Sequence, residues 1–405
     1  MTMRQAVARA LTQNPDIALA RLDQKEAESQ IQIARDPFVP RVVAGSGLAY
    51  NNGFPLSVEG SAPSVFEIQA NQYLLNRQQS WQVAKAREAA KGAAISAESS
   101  RDAVARRTAQ LFLDAERSRR EAEMARKQVE SLEKVAAAIR SKVEAGRELE
   151  VENKRAAVNL ARARQRLQLL EFQQAQAEQN LASVLGFAEG DQVRPEEETR
   201  EKLPVPESED GAVHQALDSS TELRKIESDL KAQGFEIKSE QAAKLPRLDL
   251  IGKYSLLARF NNYEDFFRTF KRHNALIGMS FQVPLPFGPA KSALAEQAED
   301  NVARLRLEQT SARQRISLET RRLYRQLRQA ETSREVARLD LDLAREQLSV
   351  LLAQFDEGRA TLRQVEEARF AENERWIAYF EAEYGTEEAR LALLAQTGSL
   401  IASLR

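Results

Sequence analysis

The chain is written twice. Ala6-Val7 with Ala10-Leu11 recurs 206 residues later as Ala212-Val213 with Ala216-Leu217, and Pro40-Arg41 returns at the same offset as Pro246-Arg247. Further on the offset widens to 212, where Gly358-Arg359 answers Gly146-Arg147 and Gly398 answers Gly186. A repeat of this length constrains the fold before any local propensity is weighed, because both halves must follow one supersecondary plan. It divides the chain into a first repeat over 1–190, a linker over 191–211 and a second repeat over 212–405. The linker, DQVRPEEETREKLPVPESEDG, is rich in proline and acid.

Each half carries a long heptad seam. In the first, the a positions are Val104, Leu111, Ser118, Ala125, Leu132 and Ile139, and the d positions are Thr108, Ala115, Ala122, Val129, Ala136 and Val143. The offset of 212 gives Ile316, Leu323, Ala330, Ala337, Ala344 and Leu351 at a, with Thr320, Leu327, Arg334, Leu341, Leu348 and Phe355 at d. A period of 3.5 specifies a coiled-coil stripe, and its many alanines allow close helix approach. The unbroken pattern from about Pro289 to Glu357 implies a helix of roughly 100 Å. Gly146 and Gly358 are placed to end the long helices, and return helices run on to Gly186 and Gly398. The spacing therefore predicts antiparallel helical hairpins over about 76–186 and 289–398.

Ahead of each helical hairpin the period changes from 3.5 to 2, which predicts β-hairpins over about 41–75 and 247–284. Leu248, Leu250, Gly252, Tyr254 and Leu256 alternate with Asp249, Ile251, Lys253 and Ser255, and Ala275, Ile277, Met279, Phe281 and Val283 form a second apolar row. In the first half Phe66, Ile68, Ala70 and Leu74 alternate with Glu67, Gln69, Asn71 and Tyr73, with Gln72 breaking the outer row. Val42, Ala44, Leu48 and Tyr50 form a similar row, interrupted by Ser46. Strands of about 10 or 11 residues match the hydrocarbon crossing of a tilted transmembrane strand. Glu67, Gln69, Asp249 and Lys253 then belong to the face that suits a water-filled lumen. Four strands are too few to enclose such a lumen, so closure calls for several chains. A small sheet packed on the helices of a soluble coiled-coil scaffold would alternate too.

Composition narrows the function. Lys+Arg 59 against Asp+Glu 60 leaves a net charge of −1, which removes the electrostatic case for nucleic-acid binding. With no cysteine, thiolate metal sites and thiol catalysis are excluded. No glycine-rich phosphate loop, nucleophile elbow or metal-spaced cluster appears, so the sequence argues against an enzyme. No run of 18 apolar residues encodes a membrane helix. The opening MTMRQAVARALTQNP lacks a signal peptide's apolar stretch, so either the protein is cytoplasmic or this chain begins after its targeting segment.

The stretch AVARALTQNPDIALARLDQKEAESQIQIARDPFVPRV resembles the opening of the TolC-type outer membrane efflux proteins: an Ala-rich short helix, an Asn-Pro break, a second helix and a proline opening the first strand. QVPLPFGPAKSALAEQ is similar to that family's strand-to-helix junction. The resemblance implies a mainly α, TolC-like fold with a membrane β-barrel portion. Long antiparallel coiled-coil hairpins form an α-barrel, and four β-strands per chain contribute to a trimeric 12-stranded β-barrel. It further implies a homotrimer in the outer membrane of a Gram-negative-type bacterium, reaching into the periplasm. Its partners would be outer membrane lipid, a periplasmic adaptor protein and an inner-membrane transporter. The duct works passively in efflux or type I secretion, with no covalent chemistry and no cofactor.

The family's tunnel narrows at the periplasmic helix tips, where acids follow the tip glycine. The resemblance places Glu152, Gln364 and Glu367 at that constriction, and puts Gly146, Arg147, Gly358 and Arg359 where the adaptor's helical tips dock. Gln364 stands where the family usually has an acid, which implies a weaker negative field. As an alternative, Glu152 and Glu367 are ordinary solvated helix residues. The family's signal sequence, its N-terminal cysteine and the C-terminal tail of some members are not in this chain. The strand-connecting loops, Asn51 to Ser64 and Phe260 to His273, are expected to face outward. The second holds Phe260, Tyr263, Phe266, Phe267 and Phe270, which suit an interfacial girdle, a pore lid or mutual packing.

Overall fold

A computed structural model describes residues 1–47, 64–188, 190–196, 203–257, 271–284 and 290–404. Helix α1 (Met3–Gln13) opens on a reciprocal cap: Thr2 Oγ1 accepts from the Gln5 N–H while the Gln5 side chain accepts from Thr2 N–H. Helix α2 (Pro15–Arg35) begins with Pro15, whose missing N–H costs nothing in a first turn. Between them Asn14 is buried and doubly used, accepting from Asp16 N–H at 2.9 Å and donating Nδ2–H to the Val184 carbonyl at 2.9 Å. A short 3-10 turn (Asp36–Phe38) leads into the first hairpin, strands β1 (Arg41–Gly47) and β2 (Ser64–Leu75). The chain continues through α3 (Arg77–Glu144) and α4 (Glu150–Val184).

The same order then runs again. Helices α5 (Glu209–Ser219) and α6 (Thr221–Ala242) precede strands β3 (Arg247–Leu257) and β4 (His273–Gln282). Helices α7 (Ala290–Asp356) and α8 (Leu362–Gln396) follow, with a last turn, α9 (Leu400–Ser403). Contacts gather the chain into two compact units that cut across this repeat. One joins residues 1–20, 97–221 and 312–405; the other joins 21–96 and 222–311.

In the first unit part of the heptad seam is buried, beside a core built around Phe112, Leu181, Leu185, Leu391 and Leu394. Val104, Thr108, Ala115, Ala122, Ala125 and Val129 are buried along α3, as are Ile316, Thr320, Leu327, Leu341 and Ala344 along α7. The two threonines at d positions satisfy themselves: Thr108 Oγ1 donates to the Val104 carbonyl at 2.8 Å, and Thr320 Oγ1 donates to that of Ile316 at 2.7 Å. Four helices of this unit end alike. Gly146, Gly186, Gly358 and Gly398 take positive φ between 69° and 73°. In each case the glycine N–H reaches back three residues, and the following N–H five, to Val143 and Lys142, Ser183 and Ala182, Phe355 and Gln354, and Ala395 and Leu394. This is the Schellman pattern, which uses carbonyls a helix end would otherwise leave bare. At Gly186 and Gly398 a second demand is added. A Cβ there would lie 2.9 Å from the Gln13 carbonyl oxygen or 2.8 Å from Ser219, because the end of each short helix seats on the glycine closing its half.

The linker is fastened within the same unit. Arg321 reaches Glu209 at 2.9 Å and Asp210 at 2.8 Å, Arg325 reaches Glu209 at 3.0 Å, and Tyr324 Oη donates to the Glu207 carbonyl at 2.9 Å. Hydrogen bonds from Arg325, then Arg321, hold the Glu209 carboxyl below its ordinary range.

The second unit holds the sheet and the helix segments beside it. Helices α3 and α6 approach closely where Gly92 faces Ser228, whose Oγ donates to the Glu88 carbonyl at 2.7 Å. Trp81 stacks on Phe235 at 5.7 Å, and Lys85 pairs with Glu236 at 2.9 Å. The four strands form one antiparallel sheet in the order β1-β2-β3-β4, so the two sequence-distant hairpins join through β2 and β3. The described part of β1 is seven residues, shorter than the expected length, and Leu48, Tyr50 and both connecting loops before Ser64 and Lys271 lie outside the described residues.

Candidate functional site

Strand register sorts the sheet's side chains into two faces. Phe66 pairs with Leu256 and through it with His273; Ile68 with Tyr254 and Ala275; Ala70 with Gly252 and Ile277; Gln72 with Leu250 and Met279. Nearly all are apolar, and the face is bare: Ile277 is 87% exposed, Met279 70% and Phe281 67%. Its one internal polar residue, Gln72, donates Nε2–H to the Phe38 carbonyl at 2.8 Å. One detail of the sequence pattern changes. A register slip between Tyr73 and Leu75 sets Leu75, not Leu74, opposite Leu248 in this row. Strict alternation cannot foresee a bulge, since the extra residue is set by the partner strand.

The opposite face carries the polar chemistry. Lys253 Nζ lies 3.0 Å from Glu67 Oε1, and Gln69 donates to the same carboxylate oxygen. Ser64 Oγ donates to Glu67 Oε2 at 3.3 Å, with Ser255 Oγ at 3.5 Å. Toward the other end of β3, Asp249 lies 3.6 Å from Arg247 Nε, and Arg247 also donates to Gln282. The structure thus gathers Glu67, Gln69 and Lys253 into one knot and keeps Asp249 apart with Arg247. Sequence reasoning set Ser255 on this row but not against Glu67, because the β2–β3 pairing that unites them spans about 180 residues of chain; it missed Ser64 and Arg247, whose contacts to Glu67 and Asp249 lie within their own strands.

At the far ends of the long helices, Gly146 and Gly358 have nothing within 4 Å of a built Cβ, so only the positive φ demands glycine. Arg147 is exposed, and Arg359 lies 3.2 Å from Glu357. The return helices start differently. Helix α8 has a reciprocal cap in which Thr361 Oγ1 accepts from Gln364 N–H while the Gln364 side chain accepts from Thr361 N–H at 2.8 Å. Helix α4 begins at Leu149, which offers no side-chain cap and is 71% exposed. Glu152 lies 2.7 Å from Arg155 and Glu367 3.2 Å from Arg363, each cation one turn along the acid's own helix. Gln364 is therefore a capping residue first. The capping-box spacing, Thr followed three residues later by Gln, was the available signal for that role.

Among the described residues no helix is long and apolar enough to cross a membrane, and no group of three or more His, Cys, Asp or Glu is placed to hold a metal ion. Comparison with curated proteins finds no match. Solved structures are similar over nearly the whole chain. A membrane protein from Pseudomonas aeruginosa has a TM-score of 0.81 at 17% identity, covering 98% of this chain and 92% of its own. The CmeC outer membrane channel of Campylobacter jejuni gives 0.80 at 15%, covering 98% and 86%. The outer membrane protein VceC of Vibrio cholerae gives 0.79 at 13%, covering 98% and 96%. The sequence profile described as outer membrane efflux protein matches twice, over 6–187 and 212–399, so the matches begin 206 residues apart and end 212 apart. With both halves matched, this chain belongs to the outer membrane efflux protein family.

Proposed function

We infer that three copies of this chain close into a passive exit duct through the outer membrane and that the duct works with a periplasmic adaptor and an inner-membrane transporter. The carrying observation is the two-faced sheet. Its apolar face is bare while the other face holds a hydrogen-bonded ion pair. A soluble scaffold would bury such a row; a membrane strand turns it to lipid and its polar face to water.

Sheet order supports the copy number. Strands β1 and β4 each have one partner in the chain, so each leaves an edge open. Hydrocarbon does not tolerate unpaired strand edges, and a barrel of four strands has no room for a lumen. Joining β4 of one copy to β1 of the next removes every edge, and three copies supply twelve strands. Glu67, Gln69, Asp249 and Lys253 then line the barrel lumen. At the opposite end Glu152, Gln364 and Glu367 line the constriction, and Gly146, Arg147, Gly358 and Arg359 form the adaptor-facing tips. The division into a first repeat, a linker and a second repeat gives each copy two pseudo-equivalent staves. The transporter supplies the energy, and the duct supplies a continuous aqueous path.

The test is to fractionate the native envelope, extract the protein in detergent and size it by light scattering. An outer membrane species of three times 45.5 kDa is expected. A soluble monomer or dimer overturns the reading.

A further inference from the structure

The place where strands meet helices is built differently in the two halves. In the first half it is stitched shut: Gln79 Nε2–H donates to the Ala34 carbonyl at 2.6 Å, and Gln72 Nε2–H to that of Phe38 at 2.8 Å. The repeat offset of 206 sets Glu240 at the position of Ala34, and the second half is six residues longer between Pro246 and Gly358. There the second half has a cavity of about 450 Å³, walled by the start of α3, the end of α6, the adjoining ends of β3 and β4, and α7 near its start. Sites for small molecules fall at about 300–1,000 Å³.

The walls are of two kinds. Leu245, Val283 and Leu294 line the cavity and stay half exposed. Glu240, partly buried, lines it too, and among the described residues its carboxylate has no hydrogen-bond or ion-pair partner. Among the described lining residues Arg247 is the one cation, and it is already engaged, 3.6 Å from Asp249 and donating to Gln282. With Arg247 offset by Asp249, Glu240 leaves the cavity one negative charge in excess. Arg247 and Gln282 are paired in the register and stand on the polar row of the sheet, so in the closed duct the cavity opens to the lumen.

An unpaired carboxylate beside exposed apolar walls suits a cation that carries an apolar body. The charge answers Glu240, and the body covers Leu245, Val283 and Leu294. A small inorganic cation gains only the first contact and gives up hydration for it. A neutral apolar solute gains only the second and strips water from an unpaired carboxylate.

We propose that this cavity is a binding site in the duct wall for amphipathic organic cations, ammonium compounds with an apolar body, and that Glu240 is their charge partner. The proposal rests on the duct reading and deepens it: a wall that holds one class of solute makes the duct itself discriminate, whatever the transporter delivers.

The test is block of the full-length trimer's conductance in planar bilayers by tetrabutylammonium, with tetramethylammonium as the same charge without the apolar body. Tetrabutylammonium should block at concentrations about tenfold lower or better, the gain expected from burying two CH₂ groups. Glu240→Gln, which keeps size and polarity, should weaken that block roughly fivefold, as loss of a partly exposed charge pair would. Equal block by the two ions, or block untouched by Glu240→Gln, overturns the proposal. So does block that survives Glu240→Gln and disappears in Glu152→Ala with Glu367→Ala, which would put the cation at the tips. Should Glu240→Gln fail to give a trimer by light scattering, Leu294→Gln keeps the charge and should bring tetrabutylammonium toward the weaker ion; no change in that variant overturns the site. An unmodified protein that forms no conducting trimer overturns the duct reading instead.

Discussion

Gly358 and Gly398 share a backbone conformation but not a neighbourhood, so the same substitution should cost different amounts. At Gly358 an added methyl meets open space, and Gly358→Ala pays only for a left-handed residue, about 1 kcal/mol. At Gly398 the methyl arrives 2.8 Å from Ser219, so Gly398→Ala adds displacement of α5 from its seat, a further 1–3 kcal/mol or about that. Thermal unfolding of the two variants side by side should show Gly398→Ala melting clearly lower; equal melting temperatures would remove the seat as the reason for this glycine. The return-helix caps give a second comparison. Thr361→Ala removes an oxygen that accepts from Gln364 N–H and should cost about 1 kcal/mol, whereas Leu149→Thr supplies the oxygen missing at the repeat-equivalent position and should stabilise α4 by up to about that amount. Hydrogen-exchange protection in the first turns of α8 and α4 reads both effects separately from global stability.

Long helices were legible because heptad spacing is a local signal, and so were their ends, because a glycine after a periodic run has few other uses. Even the polar exceptions, Thr108 and Thr320, stand 212 residues apart and solve the same problem through the carbonyl four residues back. What escaped was everything set by a partner element: the bulge that exchanges Leu74 for Leu75, the Glu67 knot across β2 and β3, and the seating of Gln13 and Ser219 on distant glycines. The seam between α3 and α8 belongs to that group and has a testable pH response. Burial pushes the Glu121 carboxyl up; Arg117 and Arg166 oppose the shift, and Glu381 adds to it. A carboxyl raised in the folded state stabilises the fold fully only below the ordinary value of 4.5, and that contribution is lost as pH rises through the folded value. Glu121→Gln mimics the protonated acid, so at neutral pH it should melt above the parent, by about 1 kcal/mol or less after solvent screening. The difference should vanish near pH 4.5; a gain independent of pH would assign the effect to packing instead.

For the whole duct, the question is which end governs the passage of ions. On the barrel side Glu67 is matched by Lys253 and Asp249 by Arg247, so the polar face offers little net field. At the tips the proposed constriction would be a weak negative ring, since the family resemblance puts Gln364 where an acid is usual and threefold closure would bring only Glu152 and Glu367 together. The structure adds that both acids already have a cation beside them, Arg155 and Arg363, which are 59% and 79% exposed. Exposed pairs one turn apart are worth only about 0.3–0.5 kcal/mol, so the arginines dilute the field without locking the acids away. Two substitutions should therefore act in opposite directions on the reversal potential across planar bilayers in asymmetric salt. Removing the acids, Glu152→Ala with Glu367→Ala, should lower cation preference, and removing their partners, Arg155→Gln with Arg363→Gln, should raise it. Both effects should grow as salt falls, because the screening length lengthens from about 10 Å at 0.1 M to about 30 Å at 0.01 M. If the tips meet the adaptor as proposed, charge reversal of the exposed Arg147 and Arg359 should weaken adaptor pairing while leaving the light-scattering mass unchanged. If reversal potentials stay the same in all the acid and arginine variants, the constriction lies elsewhere and Glu152 and Glu367 are ordinary solvated helix residues.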